Sequence, residues 1–280
     1  MNDLRDSTIL ITGATDGLGK AVAIELARAG ATVLVHGRDE ARGDATLREI
    51  RDETGSDRTR WYRADLASLE EVRALAERVH TEHERLDVLV NNAGIGTVEA
   101  GDAQRLESRD GYELRFAVNY LAPFLLTRLL LPMLVDSTPS RIVNVSSAGQ
   151  APIDFDDVML EHGYDGVRAY CQSKLALVML TLDLADELAG SGVTANCLHP
   201  GTYMPTKMVI GAGISPLDSL ESGVRATTRL VADAELDGVS GRYFDRLREA
   251  RALPQAYDPE ARRRLRELSE QLAGLTAATG

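Results

Sequence analysis

The chain has 280 residues, 44% hydrophobic and 26% charged, with 43 acidic side chains against 31 basic ones and a net charge of −12. That length can bury a sizeable core, and the acidic balance, with a pI near 4.9, argues against nucleic acid or an anionic membrane surface as a partner. Two cysteines, Cys171 and Cys197, make no disulfide framework and fit a reducing compartment.

Residues 1–6 are charged and carry no apolar signal region, so a cytoplasmic protein is expected. No linker, repeat or low-complexity tract divides the chain, and a single domain over 1–280 is the expectation. Strands are predicted near 7–12, 32–36, 59–64, 86–90, 140–146, 193–199 and 240–244. Helices are predicted near 18–29, 39–54, 69–84, 103–135, 167–190, 221–232 and 259–273. Such alternation, with nearly continuous apolar strands, predicts an α/β fold: one doubly wound parallel sheet of seven strands, helices on both faces, of Rossmann type. Ligands in such sheets bind beyond the strand carboxyl ends, at the switch between the first and fourth strands.

The first strand runs into Thr12-Gly-Ala-Thr-Asp-Gly-Leu-Gly19 and an alanine-rich helix ending near Gly30. Gly13, Gly17 and Gly19 allow a tight turn that brings backbone N–H groups and the helix N-terminus close to a pyrophosphate. Alone it is only a loop; within a strand–turn–helix–strand unit of about 30 residues it reads as a dinucleotide site. The second strand ends Val33-Leu-Val-His-Gly-Arg38. An acidic residue there would bind both ribose hydroxyls and select NAD; the matching position is Gly37, followed by Arg38, which can pair with a 2′-phosphate. NADP is therefore expected ahead of NAD.

The third strand closes on Asp65-Leu66. Its carboxylate either accepts from an adenine amino group or opens the turn before Ser68, which forms a capping box with Glu71. His80 and His83, three apart on a charged helix, read as a solvated face, and no metal site is expected. The fourth strand leads into Asn91-Asn-Ala-Gly94, residues that let the chain pass close to a ligand or make a plain turn. Asn119 lies in an apolar helix, where asparagine is a poor helix former, so its amide needs a structural or water partner. The apolar run 125–135 is broken by Arg128 and falls short of the about 20 residues a bilayer requires. The fifth strand ends at Ser146-Ser147; adjacent side chains on a strand face opposite ways, so one hydroxyl alone faces the cleft.

Tyr170 and Lys174, in Ala169-Tyr-Cys-Gln-Ser-Lys174, share one helix face with a rise of about 6 Å between them. A nearby fixed positive charge lowers a phenol pKa. A fall of about three from its usual 10, worth roughly 4 kcal/mol, would suit it to acid–base work. By itself the pair equally fits a half-buried tyrosine beside a solvated lysine, yet Lys20, Lys174 and Lys207 are the chain's three lysines. Cys171 is expected to be small and buried. His199 reads as a satisfied strand-end histidine. Beyond it, about 201–220 carries Met204, Met208, Val209, Ile210 and Leu217 with Gly211 and Gly213. This is either an apolar lid over substrate or a loop packing its methionines on the core. Phe155, Val158 and Met159 are expected to add to the pocket. Asp258-Pro259 opens a last helix, about 258–275, whose Leu265, Leu268, Leu272 and Leu275 form a docking stripe.

Taken in order, Thr12-Gly-x-x-x-Gly-x-Gly19, Asp65, Asn91-Asn-Ala-Gly94, Asn119, Ser147, Tyr170-x-x-x-Lys174 and Pro200-Gly201 resemble the short-chain dehydrogenase/reductase family from the first strand to the last helix. The resemblance implies that Tyr170 is the catalytic acid/base and that Lys174 depresses its pKa and holds the nicotinamide ribose. It further implies that Ser147, rather than Ser146, polarises the substrate oxygen, and that Asn119 holds a water linking Lys174 to solvent. Cofactor contacts are implied for Gly13, Thr15, Asp16, Gly17, Leu18 and Gly19, and for Arg38, Asp65, Leu66, Asn92, Ala93 and Gly94. Tyr170, Lys174, Pro200, Gly201, Thr202 and Thr206 complete that set, with the 199–202 backbone and Thr202 on the carboxamide and Thr206 reaching the pyrophosphate. Asp16 stands where many NADP-preferring relatives carry a basic residue.

The long stretch between Ser147 and Tyr170, with Pro152-Ile-Asp-Phe-Asp-Asp157 and the late Ser240-Gly-Arg-Tyr-Phe244, is similar to the branch holding retinol dehydrogenases and light-dependent protochlorophyllide reductases. Leu177 and Gln172 depart from it, where asparagine and histidine are usual. The implied activity is NADP-dependent hydride transfer between nicotinamide and a carbonyl or alcohol of a lipophilic small molecule. Alkene reduction and non-catalytic dinucleotide sensing are the alternatives. The two long apolar helices either pair in a homodimer or homotetramer or are simply core.

Overall fold

A computed structural model describes residues 4–97, 104–211, 213 and 215–275, with the backbone alone at Lys207 and Met208. Strands β1 (Thr8–Ile11), β2 (Thr32–Gly37), β3 (Thr59–Arg63), β4 (Val88–Asn91), β5 (Ser140–Val145), β6 (Val193–His199) and β7 (Arg242–Asp245) pair in parallel. β8 (Arg248–Ala250) returns antiparallel to β7, giving the order β3-β2-β1-β4-β5-β6-β7-β8. The order reverses between β1 and β4, which opens a crevice at the carboxyl edge of the sheet. The eighth strand corrects the expected seven: Arg-Glu-Ala is short and polar, with no apolar alternation to announce it.

Strand alternation sends Ile9 and Ile11 to one face and Leu10 to the other. On the first face lie α1 (Gly17–Arg28) and α6 (Leu220–Ala232); on the second lie α3 (Leu69–Glu82), α4 (Leu114–Asp136) and α5 (Gly166–Glu187). The edge helix α2 (Glu40–Thr54) follows β2, and α7 (Pro259–Leu272) closes the described chain. Side-chain caps start these helices where the sequence places Asp or Ser: Asp16, Asp39, Ser68, Asp165, Ser219 and Asp258 each accept from a first-turn N–H.

The helix predicted over 103–135 begins at Leu114 instead, residue 103 lying outside the described residues. A turn through Gly111 at φ +82 precedes it, and Glu113 caps it by accepting from Phe116 N at 2.6 Å. Its second turn, Ala117–Leu121, widens into a π-helix. By length and composition α4, 23 residues with a mean hydropathy of 1.6 in its most apolar window, could cross a membrane, and so is longer than the run read from sequence. In the fold 72% of that window is buried, so it serves as the core helix under the sheet.

His80 and His83 are not merely solvated. The His80 ring meets the Leu129 carbonyl at 3.0 Å, and His83 meets the Tyr62 hydroxyl at 2.7 Å. Both therefore tie α3 to neighbouring elements. α7 packs Ala261, Leu265 and Ser269 against the core and reaches α4 and α5 through Ser269–Tyr120 at 2.7 Å and Arg266–Asp183 at 2.8 Å.

Candidate active site

The glycine turn is built so tightly that side chains are excluded. Gly13 sits at φ +65, and a Cβ there would lie 2.8 Å from Ala93 Cα; one on Gly19 would lie 2.4 Å from both Gly13 O and Asn92 Nδ2. Thr12 Oγ1 accepts from Asn92 N at 2.9 Å and Ala93 N at 3.0 Å, and Asn92 Nδ2 donates to Thr12 O and Gly13 O at 2.8 and 3.2 Å. The Asn92 amide expected against a ligand is thus used to hold the turn. His36 completes the support: Nδ1 accepts from Gly13 N at 3.2 Å and Nε2 donates to Ala64 O at 3.1 Å. Burial pushes its pKa down to about 4, which keeps the ring neutral and able to accept. Sequence reading passed over His36, because one histidine in an apolar strand carries no local signal.

At the start of α1, Asp16 Oδ1 accepts from Gly17 N at 2.8 Å, while the amides of Leu18 and Gly19 have no acceptor within the helix by the geometry of a helix end. Thr206 lies over this terminus, its methyl 3.0 Å from where a Gly17 Cβ would stand. Leu18 and Leu66 turn their side chains into the core, leaving only backbone to a ligand. A Cβ on Gly37 would come within 2.8 Å of Thr15 Cγ2 and 3.0 Å of Trp61 Cη2, so an acidic side chain has no room there. Arg38 is exposed at the same opening, and Arg42 Nη1 stands 3.9 Å from Asp16 Oδ2, partly neutralising that carboxylate. Arg42 also escaped sequence reading. Asp65 Oδ1 accepts from Ala67 N at 3.1 Å, and Oδ2 lies 3.6 Å from Arg109, so the carboxylate shapes its own turn. A side-chain-free cradle, a helix N-terminus and arginines at its far end fit a phosphorylated dinucleotide.

Across the crevice, Lys174 Nζ donates to Val145 O at 2.9 Å and lies 5.8 Å from the centre of the Tyr170 ring. Ser146 turns away and donates to Lys174 O at 2.8 Å. Ser147 Oγ accepts from Gly149 N at 3.0 Å and is a hydrogen-bond partner of the Tyr170 phenol. The Ser147 carbonyl accepts from Tyr243 at 3.1 Å and Gln150 at 2.9 Å, so β7 braces the end of β5. Gly94 passes so close that a Cβ would be 3.3 Å from both Lys174 Nζ and Asn119 Oδ1.

One expectation changes here. Burial pushes the Tyr170 phenol above its ordinary pKa, with the Ser147 hydrogen bond opposing, and burial lowers Lys174 to about 8. Enclosure disfavours both charged forms and outweighs the anticipated fall of the phenol. Of the two partners open to the Asn119 amide, structural or water, the fold supplies structural ones: Oδ1 accepts from Ile95 N at 2.7 Å, and Nδ2 donates to Ile95 O at 3.1 Å and Ser173 Oγ at 3.0 Å.

Pro200 and Gly201 are buried at the end of β6. Thr202 does not offer its peptide groups to a ligand: N donates to Asp218 Oδ2 at 2.6 Å and O accepts from Asp218 N at 3.0 Å. Its hydroxyl meets His199 Nε2 at 3.0 Å, and burial pushes that histidine's pKa down. In 201–220, Met204 is core, packed so that a Cβ on Gly223 would meet its sulfur at 2.3 Å, whereas Tyr203, Ile210 and Leu217 are exposed. The Met208 side chain lies outside those described. Phe155 packs under Arg264 at 4.5 Å and Val158 is buried, so both serve packing. Cys171 is half-buried and Cys197 buried, both free thiols. Among the described residues no His, Cys, Asp or Glu cluster could hold a metal ion.

Residues 7–213 match the family model described as short chain dehydrogenase. The chain is 42% identical to retinol dehydrogenase 13 of Mus musculus, over 98% of this chain and 85% of that protein. A solved structure from Mycobacterium paratuberculosis is 31% identical with a TM-score of 0.77, covering 96% of this chain and 93% of that one. A second, from Shigella flexneri, described as a short chain dehydrogenase and complexed with NADP, is 30% identical with a TM-score of 0.71, covering 88% and 99%.

Proposed function

The chain belongs to the short-chain dehydrogenase/reductase family, in its retinol dehydrogenase branch, and on that premise we propose an NADP-dependent oxidoreductase acting on the carbonyl or alcohol carbon of a lipophilic small molecule. The observation that carries this reading is the grouping of the Tyr170 phenol, the Ser147 hydroxyl and the Lys174 ammonium across the crevice from the glycine turn. When bound, NADPH supplies the hydride. Tyr170, kept protonated by burial, donates its proton to the substrate oxygen, and Ser147 donates a hydrogen bond to that oxygen. Lys174, with a pKa of about 8, is charged at neutral pH and stabilises the phenolate that forms.

The first-turn amides and glycines would hold the pyrophosphate, and Arg38 the 2′-phosphate. NADP rather than NAD is supported by the filled space at Gly37 and by Arg42 set against Asp16, and the Shigella relative carries NADP. A lipophilic substrate is supported by exposed Tyr203, Ile210 and Leu217 and by the retinol in the mouse relative's name. Free thiols and a buried α4 favour a cytoplasmic setting. α7, lying on α4 and α5, works against pairing of those helices between copies.

A panel of ketones, aldehydes and secondary alcohols assayed with NADPH and NADH tests the reading. Turnover that vanishes in Tyr170→Phe while NADPH still binds is the expected result; full activity in that variant would overturn it. Tight NADPH binding with no turnover of any panel member would favour a dinucleotide sensor, which has no use for the Ser147–Tyr170–Lys174 grouping.

A further inference from the structure

We propose that Arg246 is a positioning residue for the nicotinamide end of the cofactor site, acting through Asp218 on Thr202; the inference rests on the dinucleotide reading above. β7 ends at Asp245 on the same sheet edge as His199 at the end of β6, its register partner. The chain turns back at once into β8, and the reversal places Arg246 at φ +54. Its amide donates to His199 O at 2.8 Å, which fixes the turn above the 199–202 segment.

The guanidinium then reaches across the base of 201–220. Nη2 and Nε donate to Asp218 Oδ2 at 2.6 and 3.1 Å, and Nη1 donates to Asp245 Oδ1 at 2.9 Å. The same Asp218 oxygen accepts Thr202 N at 2.6 Å, so three donors converge on one atom. Asp218 N returns a bond to Thr202 O at 3.0 Å, and Leu217 N bonds Tyr203 O at 3.2 Å. Gly201 makes room for this: a Cβ on it would lie 3.3 Å from Asp218 Cβ.

The consequence is that Thr202 has both peptide groups committed and presents its hydroxyl alone, oriented by His199. Tyr203, next in the chain, sits at φ +47, a left-handed conformation that a tyrosine keeps only where its neighbours impose it. The Thr202–Asp218 pair imposes it, and Arg246 holds Asp218. The ion pair is partly exposed, 40% and 23% by side chain, and pairs of that kind add little to stability. Position rather than stability is therefore what Arg246 supplies.

The test compares NADPH with adenosine 2′,5′-bisphosphate, which lacks the nicotinamide half, on the full chain. Arg246→Ala is expected to weaken NADPH about tenfold and leave the bisphosphate within about twofold. Its Tm should stay within about 2 °C, and kcat should fall by a larger factor than KM for the carbonyl substrate rises. Arg246→Lys should restore NADPH affinity to within about threefold, and Asp218→Asn should repeat the alanine pattern. Unchanged NADPH affinity in Arg246→Ala and Asp218→Asn overturns the proposal. So does a parallel loss of both ligands with a large drop in Tm, the mark of a structural role. A wild-type chain that binds neither probe overturns the dinucleotide reading itself, a separate and recognisable outcome.

Discussion

Lys174 Nζ bonds the carbonyl of Val145 at 2.9 Å while standing 5.8 Å from the centre of the Tyr170 ring, so one ammonium serves both the end of β5 and the phenol. It can do so because α5 lays its Tyr170 and Lys174 turns across that strand end, and Ser146 anchors the helix by bonding the Lys174 carbonyl.

That dual role has a pH signature. Burial brings Lys174 from its ordinary 10.5 to about 8 in the folded chain. Between these values the unfolded chain holds a proton that the folded one has lost, so folding stability rises as pH increases from about 8 to 10.5, by up to roughly 3 kcal/mol. Activity should run the other way, falling as Lys174 loses the charge that stabilises phenolate. Thermal unfolding and turnover followed over the same pH range check this. A Lys174→Met variant should lack the alkaline gain in stability and turn over at least about 100-fold more slowly.

His36 predicts the acid side. Its folded pKa of about 4 against an ordinary 6.5 means that the unfolded chain binds the extra proton in that window. Stability is full above about 6.5 and is lost as pH falls toward 4, by up to roughly 3 kcal/mol. Protonated Nδ1 cannot accept from Gly13 N, so cofactor affinity should fall with it. Fluorescence titration of NADPH from pH 7 to 4.5, against His36→Gln, distinguishes this group from the surface carboxylates.

Arg38→Ala should raise KM for NADPH about 10–100-fold, the worth of one or two charge-assisted bonds, with KM for NADH changed by less than about threefold. Gly37→Asp, the obvious route to NAD, should fail to convert the enzyme cleanly, because its Cβ would enter space held by Thr15 and Trp61. Steady-state kinetics with both cofactors decides each case.

Thr12→Val removes the one hydroxyl that accepts from both Asn92 N and Ala93 N. Each stranded donor costs about 1–3 kcal/mol, so a lower Tm and a weaker cofactor site should appear together. Retained Tm with retained NADPH affinity would show that the turn stands without that hydroxyl.

Much of this molecule is legible in its sequence. The strand–helix alternation, the glycine turn, the caps at Ser68 and Asp258, and the shared face of Tyr170 and Lys174 are set by periodicities spanning a dozen residues or fewer. Local sequence carries them fully. What it could not carry was where each polar group spends its hydrogen bonds. The spacing leaves the Asn92 and Asn119 amides open between ligand or water and a structural partner, and in the fold the first braces Gly13 and the second holds Ile95, 24 residues away. Burial raising the Tyr170 pKa against the opposing Ser147 hydrogen bond, the late start of α4 at Leu114, and β8 with its Arg246 likewise rest on neighbours distant in the chain. Spacing along the chain determined which groups exist and which way they point. Long-range packing alone decided how deeply they are enclosed and which partners satisfy them, because desolvation and hydrogen bonding depend on everything that surrounds a group.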